Sequence, residues 1–155
     1  MEDNLPKVDF SIDDLKLDIL YEDKKYLEET QKKSLQDTTP DKVKEIFGDL
    51  FFPITQDEFP HVYASFVFSM DGKIGFPDNP EGPLVSSKNF KNPKGGQADF
   101  WLLNVLRTFS DVAIRGAKTL AAEEEGTGHI FDDDLIDIRK NTLNKSGEYP
   151  INLIV

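Results

Sequence analysis

The chain of 155 residues contains no cysteine. Disulfides, thiolate metal sites and a cysteine nucleophile are thereby excluded. Histidine is scarce: His61 and His129 stand far apart without spaced partners, which argues against a dedicated zinc centre. No apolar run approaches the roughly 20 residues that cross a bilayer. The start also lacks the basic-then-apolar pattern of a secretory leader. The expectation is a cytoplasmic protein without membrane attachment. Positive charge is in short supply as well. Lys and Arg number 18 against 29 Asp and Glu, a formal net charge of −11. Such an excess of acid disfavours nucleic acid, whose binding depends on neutralising phosphates.

What the chain does have is enough apolar material for one core, with 38% hydrophobic residues and 12 Phe. The charge is uneven. Residues 1–60 hold 8 basic and 16 acidic side chains, and residues 123–155 hold 3 and 8, whereas residues 61–122 hold 7 basic and 5 acidic. The acidic flanks read as solvated surface. The slightly basic centre could hold a small anion.

Residues 1–58 read as an acidic helical extension. Ser11 is an expected N-cap, with Asp13 and Asp14 suited to the positive end of a helix over about Ile12–Leu20. Lys24–Leu35 continues helically. Thr39-Pro40 is a second start signal, with Thr as cap and Pro at the first helical position, and Gly48 reads as the stop. Packing of this extension on the main domain and a role as a partner-binding arm both fit the pattern.

Residues 59–155 alternate between strand and helix patterns. His61–Ser69 is β-branched and aromatic on both faces, the signature of a central strand. Met70-Asp71-Gly72-Lys73 turns the chain. Residues 75–98 are rich in Gly, Pro and Asn and predict a long loop with short strand pieces at Leu84–Ser86. Helix is expected over Ala98–Phe109, a buried strand at Asp111–Arg115, helix over Leu120–Glu125 and Asp132–Lys140, and a third strand from Ile151 to Val155. Trp101 is a core candidate, and His61 and His129 read as surface or strand-end residues. The order predicts an α/β sheet with crossover helices. Because Val155 closes the chain inside an apolar strand, the expectation is an incomplete C-terminus, with further strands needed to complete the sheet.

Chemistry is expected at two turns. Gly116-Ala117-Lys118-Thr119 follows a strand and opens a helix, where backbone N–H groups, the Lys118 charge and the Thr119 hydroxyl favour an anion. Ligands of open α/β sheets gather at such carboxyl ends. The string is neither a P-loop nor a GxGxxG turn. The second turn, Ser69–Gly75, carries Asp71 and Lys73. It reads equally as a simple Asp-Gly hairpin turn and as one wall of a pocket. No Ser/His/Asp set and no paired carboxylates stand out, so no catalytic side chain and no metal ligand is assigned. A cofactor would then carry the chemistry while the protein positions it.

The run Ala64-Ser65-Phe66-Val67-Phe68-Ser69-Met70-Asp71-Gly72-Lys73-Ile74 resembles the strand and turn of the riboflavin-biosynthesis pyrimidine reductases. Leu106-Arg107-Thr108-Phe109-Ser110-Asp111-Val112-Ala113-Ile114-Arg115-Gly116-Ala117-Lys118-Thr119 is similar to their second motif. The two lie in order across about residues 61–124, with Val85-Ser86-Ser87 between them. The resemblance implies a dihydrofolate reductase-like fold, a homodimer, and NADPH-dependent reduction of a ribosylamino-phosphate-bearing aminouracil. It implies cofactor contacts at Val67, Gly116, Ala117, Thr119 and Glu123, and substrate contacts at Asp71, Lys73, Ser86 and Arg107; the charge of Lys118 is expected, on electrostatic grounds, to favour the 2′-phosphate of NADPH. The chain departs from the pattern at Ser65, Gly82 and Leu84, and again after Glu123, where Glu124-Glu125-Gly126 follows. A reductase-like module without turnover, serving binding or assembly, is the competing reading.

Overall fold

The computed structural model describes residues 5–15, 17–33, 39–51, 59–123 and 126–155. Leu35, Glu124 and Glu125, at the expected ends of two helices, lie outside them. The fold is mixed α/β, with six α-helices and one short parallel sheet among the described residues. The helices are α1 (Lys24–Lys33), α2 (Asp41–Ile46), α3 (Leu84–Ser87), α4 (Pro93–Phe109), α5 (Ala117–Ala122) and α6 (Asp133–Asp137), and the strands are β1 (Val112–Arg115) and β2 (Ile151–Ile154). A π turn over Ile138–Thr142 continues α6.

α4 is the organising element. It begins earlier than its apolar periodicity suggests, because the Asn92 side chain accepts the Gly95 N–H at 3.0 Å and Pro93 occupies the first turn. One face buries Ala98, Trp101 and Val105. These pack with Leu135 and Ile136 of α6, Ile130, and residues of the acidic segment, Phe10, Leu15, Val43 and Ile46, in one cluster. These four residues of the acidic segment thus belong to the same core as α4 and α6. Lys42 of α2 extends the contact by donating to Asp132 at 2.9 Å and to Asp134 at 2.8 Å.

Two buried polar residues close gaps that packing alone would leave. Asn104 donates to Phe100 O at 2.8 Å and accepts from the Phe131 N–H at 2.8 Å, fixing the segment before α6 against α4. Arg139 lies at 2% exposure under the end of α4 and donates to the carbonyls of Thr108 at 2.9 Å and Ser110 at 2.7 Å. It satisfies acceptors that a helix C-terminus leaves open. Asp132 does the converse for α6, accepting from the N–H groups of Asp134 and Leu135.

Several expectations are corrected. Residues 61–69 form no strand among the described residues, and Val62, Phe66 and Phe68 are exposed. A strand exists only where a neighbour completes its ladder, and β1 pairs in this sheet with β2 alone. The helix expected from Ile12 shrinks to a single 3-10 turn, Ile12–Asp14. Ser11 makes no side-chain cap, and Asp14 accepts from Lys94 at 2.5 Å. Leu84–Ser86 is helical rather than extended, with the Ser87 N–H donating to Pro83 O at 2.9 Å. Thr39 does not cap α2; its hydroxyl bonds the backbone of Leu50 and Pro40 takes the cap position. His129 is buried at 1% exposure, not on the surface, while His61 is exposed.

β1 and β2 run parallel, with Val112 opposite Ile151, Ala113 opposite Asn152, Ile114 opposite Leu153 and Arg115 opposite Ile154. The period of two puts Val112, Ile114, Ile151 and Leu153 on one face. That face is exposed, so the expected buried strand is buried on neither side in full.

Candidate functional site

β1 ends at Arg115, and the chain turns through Gly116 into α5. The carboxyl ends of the two strands are tied there: the Val155 N–H donates to Arg115 O at 3.0 Å and the Ala117 N–H to Val155 O at 2.7 Å. Helix begins at Ala117, so Lys118 and Thr119 lie within the first turn of α5 rather than in a separate turn before it. Gly116, Ala117, Lys118 and Thr119 are all exposed. A Cβ at Gly116 would meet only the Thr119 hydroxyl, at 3.8 Å, so the space beside the turn is open.

Around this end the fold gathers charge. Arg107, from the last turn of α4, donates to His129 O at 2.9 Å. Arg115 donates to Gly126 O at 2.8 Å, and its Nε is buried without a partner among the described residues. Glu123, just past α5, accepts the Gly82 N–H at 2.9 Å and so holds the turn before α3 to this side. Burial is the main reason that the Arg107 guanidinium falls to about 10. Repulsion from Arg115 adds to the fall, and Glu123 opposes it. Arg107 thus feels one carboxylate, Glu123, whose oxygen is already engaged by a peptide N–H.

Glycines make this crowding possible. A Cβ at Gly126 would lie 3.2 Å from Arg115 Nη1 and 3.0 Å from Glu123 O. Gly128 has φ +65° and would press a Cβ against the Asn152 side chain. The Asn152 Oδ1 is itself buried without a partner among the described residues.

The expected site residues separate into groups. Arg107, Glu123 and the Gly116–Thr119 segment gather at the carboxyl end of β1. Asp71 and Lys73 form a turn of their own. Ser69 Oγ donates to Asp71 at 2.5 Å, Lys73 Nζ pairs with Asp71 at 2.7 Å, and the Ser69 N–H reaches Lys73 O at 2.9 Å. The Lys73 ammonium and the Ser69 hydroxyl hold the Asp71 carboxyl down at about 2. A Cβ at Gly72, which has φ +79°, would meet nothing within 4 Å, so this turn stands in open solvent. Ser86 faces the start of α4: its hydroxyl donates to Pro83 O at 3.1 Å, and its carbonyl would lie 2.9 Å from a Cβ at Gly96. Val67 is half-buried in the irregular 61–69 segment.

Arg115, Gly126, Gly128 and Asn152 were not expected at the site. The signal for Arg115 was available, since a charge closing an apolar strand just before a Gly turn must point somewhere polar. Asn152 reaches the site only through the pairing register. Among the described residues, no group of three or more His, Asp or Glu converges as a metal site, and no helix is long and apolar enough to cross a membrane. No family model matches the chain, and neither a curated protein nor a solved structure matches it.

Proposed function

We propose that this chain is an NADPH-dependent reductase of the riboflavin-pathway pyrimidine reductase type, built on a dihydrofolate reductase-like fold. Its substrate on this reading is 5-amino-6-(5-phosphoribosylamino)uracil, reduced at the ribosylamino carbon. The observation that carries the reading is the cluster at the carboxyl end of β1, where an open Gly116 turn, Thr119 and Lys118 adjoin the Arg107–Arg115 pair. Parallel sheets collect phosphate-bearing ligands at that position. The donor set that supports it is the Thr119 hydroxyl and the Lys118 ammonium on exposed residues, beside an Arg115 whose Nε is buried without a partner among the described residues. Bound NADPH would supply the hydride. On this reading Gly116–Thr119, Val67 and Glu123 serve the cofactor and Arg107 the substrate; Asp71, Lys73 and Ser86 are assigned to the substrate by the resemblance alone, since they stand in turns apart from the cluster.

Calorimetric titration with NADPH tests this. Saturable binding is expected, weakened about tenfold, roughly 1.4 kcal/mol, in Lys118→Ala and Thr119→Ala through loss of charge-assisted contacts. Absence of saturable binding by the folded chain overturns the reading.

A second reading, a reductase-like module for binding or assembly, including a homodimer, is favoured by one observation. The apolar face of Val112, Ile114, Ile151 and Leu153 is uncovered. Sedimentation over a range of concentrations separates the two: self-association without NADPH binding supports the module.

A further inference from the structure

The segment over residues 5–10 crosses the body of the protein as a strap. The Val8 N–H donates to Phe131 O at 2.8 Å, and Lys7 pairs with Asp133 at 3.0 Å. Phe10 is buried beside Phe100, ring centroids 5.8 Å apart. A further polar contact of the strap is to a histidine. His129 Nε2 lies 2.8 Å from Pro6 O, and its Nδ1 meets the Thr127 hydroxyl. A proline carbonyl can only accept, so Nε2 carries the hydrogen and Nδ1 takes the proton of the Thr127 hydroxyl. Burial at 1% exposure favours the neutral form, with its hydrogen on Nε2, and the ring packs at 3.8 Å between ring centroids against Phe131.

We propose that His129 is an acid-sensitive clasp for this strap: the neutral ring holds residues 5–10 against the body, and protonation releases them. The second proton must enter at Nδ1, which forces the Thr127 hydroxyl to turn from donor to acceptor. It also creates a cation in a buried place. The charged groups facing the ring are positive, Lys7 on the strap and Arg107 on α4. The acids nearby are engaged elsewhere: Asp133 with Lys7, and Asp132 with the start of α6 and with Lys42. Burial, and then these two cations, lower the ring's proton affinity below the ordinary histidine value, against the pull of Pro6 O. A strap that has swung away leaves the ring in water, where it takes the proton near pH ~6.5. The open state therefore binds more protons, and closure weakens as pH falls through that value. Release takes Phe10 away from Phe100. The clasp stands whether or not the protein binds a nucleotide.

Hydrogen exchange at the Val8 amide, corrected for intrinsic rates, reads the strap directly. Protection should fall several-fold between about pH 7.5 and about pH 5.5, with each unit between the closed and open pKa worth about a factor of ten. His129→Gln, which still offers an N–H to Pro6 O and cannot titrate, should flatten that dependence. A pH-independent Val8, or a Gln variant that keeps the full wild-type dependence, overturns the proposal. Should the variant fail to fold, NMR titration of the wild-type ring decides: loss of Val8 protection in step with protonation of His129 supports the clasp, and protonation without it rejects the clasp.

Discussion

Arg139 shows how much one side chain can hold in this fold. Its guanidinium donates to carbonyls at the end of α4 and, at 3.3 Å and 3.4 Å, to Gly147 O and Ser146 O. Helix end, following turn and the approach to β2 are thereby joined through one buried cation. Burial lowers its proton affinity, yet five accepting carbonyls replace the lost hydration. Arg139→Met should destabilise the chain by about 3 kcal/mol or more, since it orphans several buried acceptors at once. Denaturant unfolding checks this, and a loss below about 0.5 kcal/mol would contradict the assigned role. Asp71 is the opposite case. Its carboxyl is strongly acidified, but it sits in water with all its partners inside one turn, so Asp71→Asn should leave the unfolding midpoint unchanged at neutral pH.

Among the elements, α4 is the one on which the others depend. Its first turn rests on a small side chain, Asn92, and its last on Arg139. Asn92→Ala should cost about 1 kcal/mol and fray the helix toward Ala98, seen as faster exchange at Gly95 and Gly96 without change at Val105. The β1–α5 connection is equally local in origin. It consists of four residues of strand, Gly116, and six residues of helix, tied to β2 by backbone bonds at both strand ends.

At the scale of the whole molecule the distribution of apolar surface is the unusual feature. Phe66 is 69% exposed, Ile114 62% and Ile151 71%, while the surrounding chain carries a net charge of −11. Exposed apolar side chains of this size offer surface on which an apolar probe can bind. The folded chain should therefore enhance the fluorescence of a hydrophobic dye such as ANS at neutral pH, with its helical circular dichroism intact. Phe66→Ser combined with Phe68→Ser should cut that enhancement by more than half. A native chain that leaves the dye dark would show the patch to be covered in solution.

By itself the sequence determined what depends on neighbours along the chain. It placed α1, α2, the body of α4, β1, α6 and β2, because helical periodicity, acidic first turns, Gly punctuation and β-branched runs act within a few residues; the Asn92 cap and the start of α4 at Pro93 came only with the structure. It also marked Trp101 as core and Gly116 as a break after β1, although the helix starts at Ala117 rather than at Leu120. Only tertiary structure decided the rest. Whether His61–Ser69 becomes a strand depends on a partner for its ladder, which no local pattern contains. Whether His129 is wet or buried depends on residues 5–10 arriving from the far end of the chain. The meeting of Arg107, Arg115 and Glu123 likewise required α4, β1 and α5 to converge. The physical reason is that helices and caps satisfy their hydrogen bonds internally, whereas sheets, buried polar groups and charge clusters acquire theirs from segments distant in sequence.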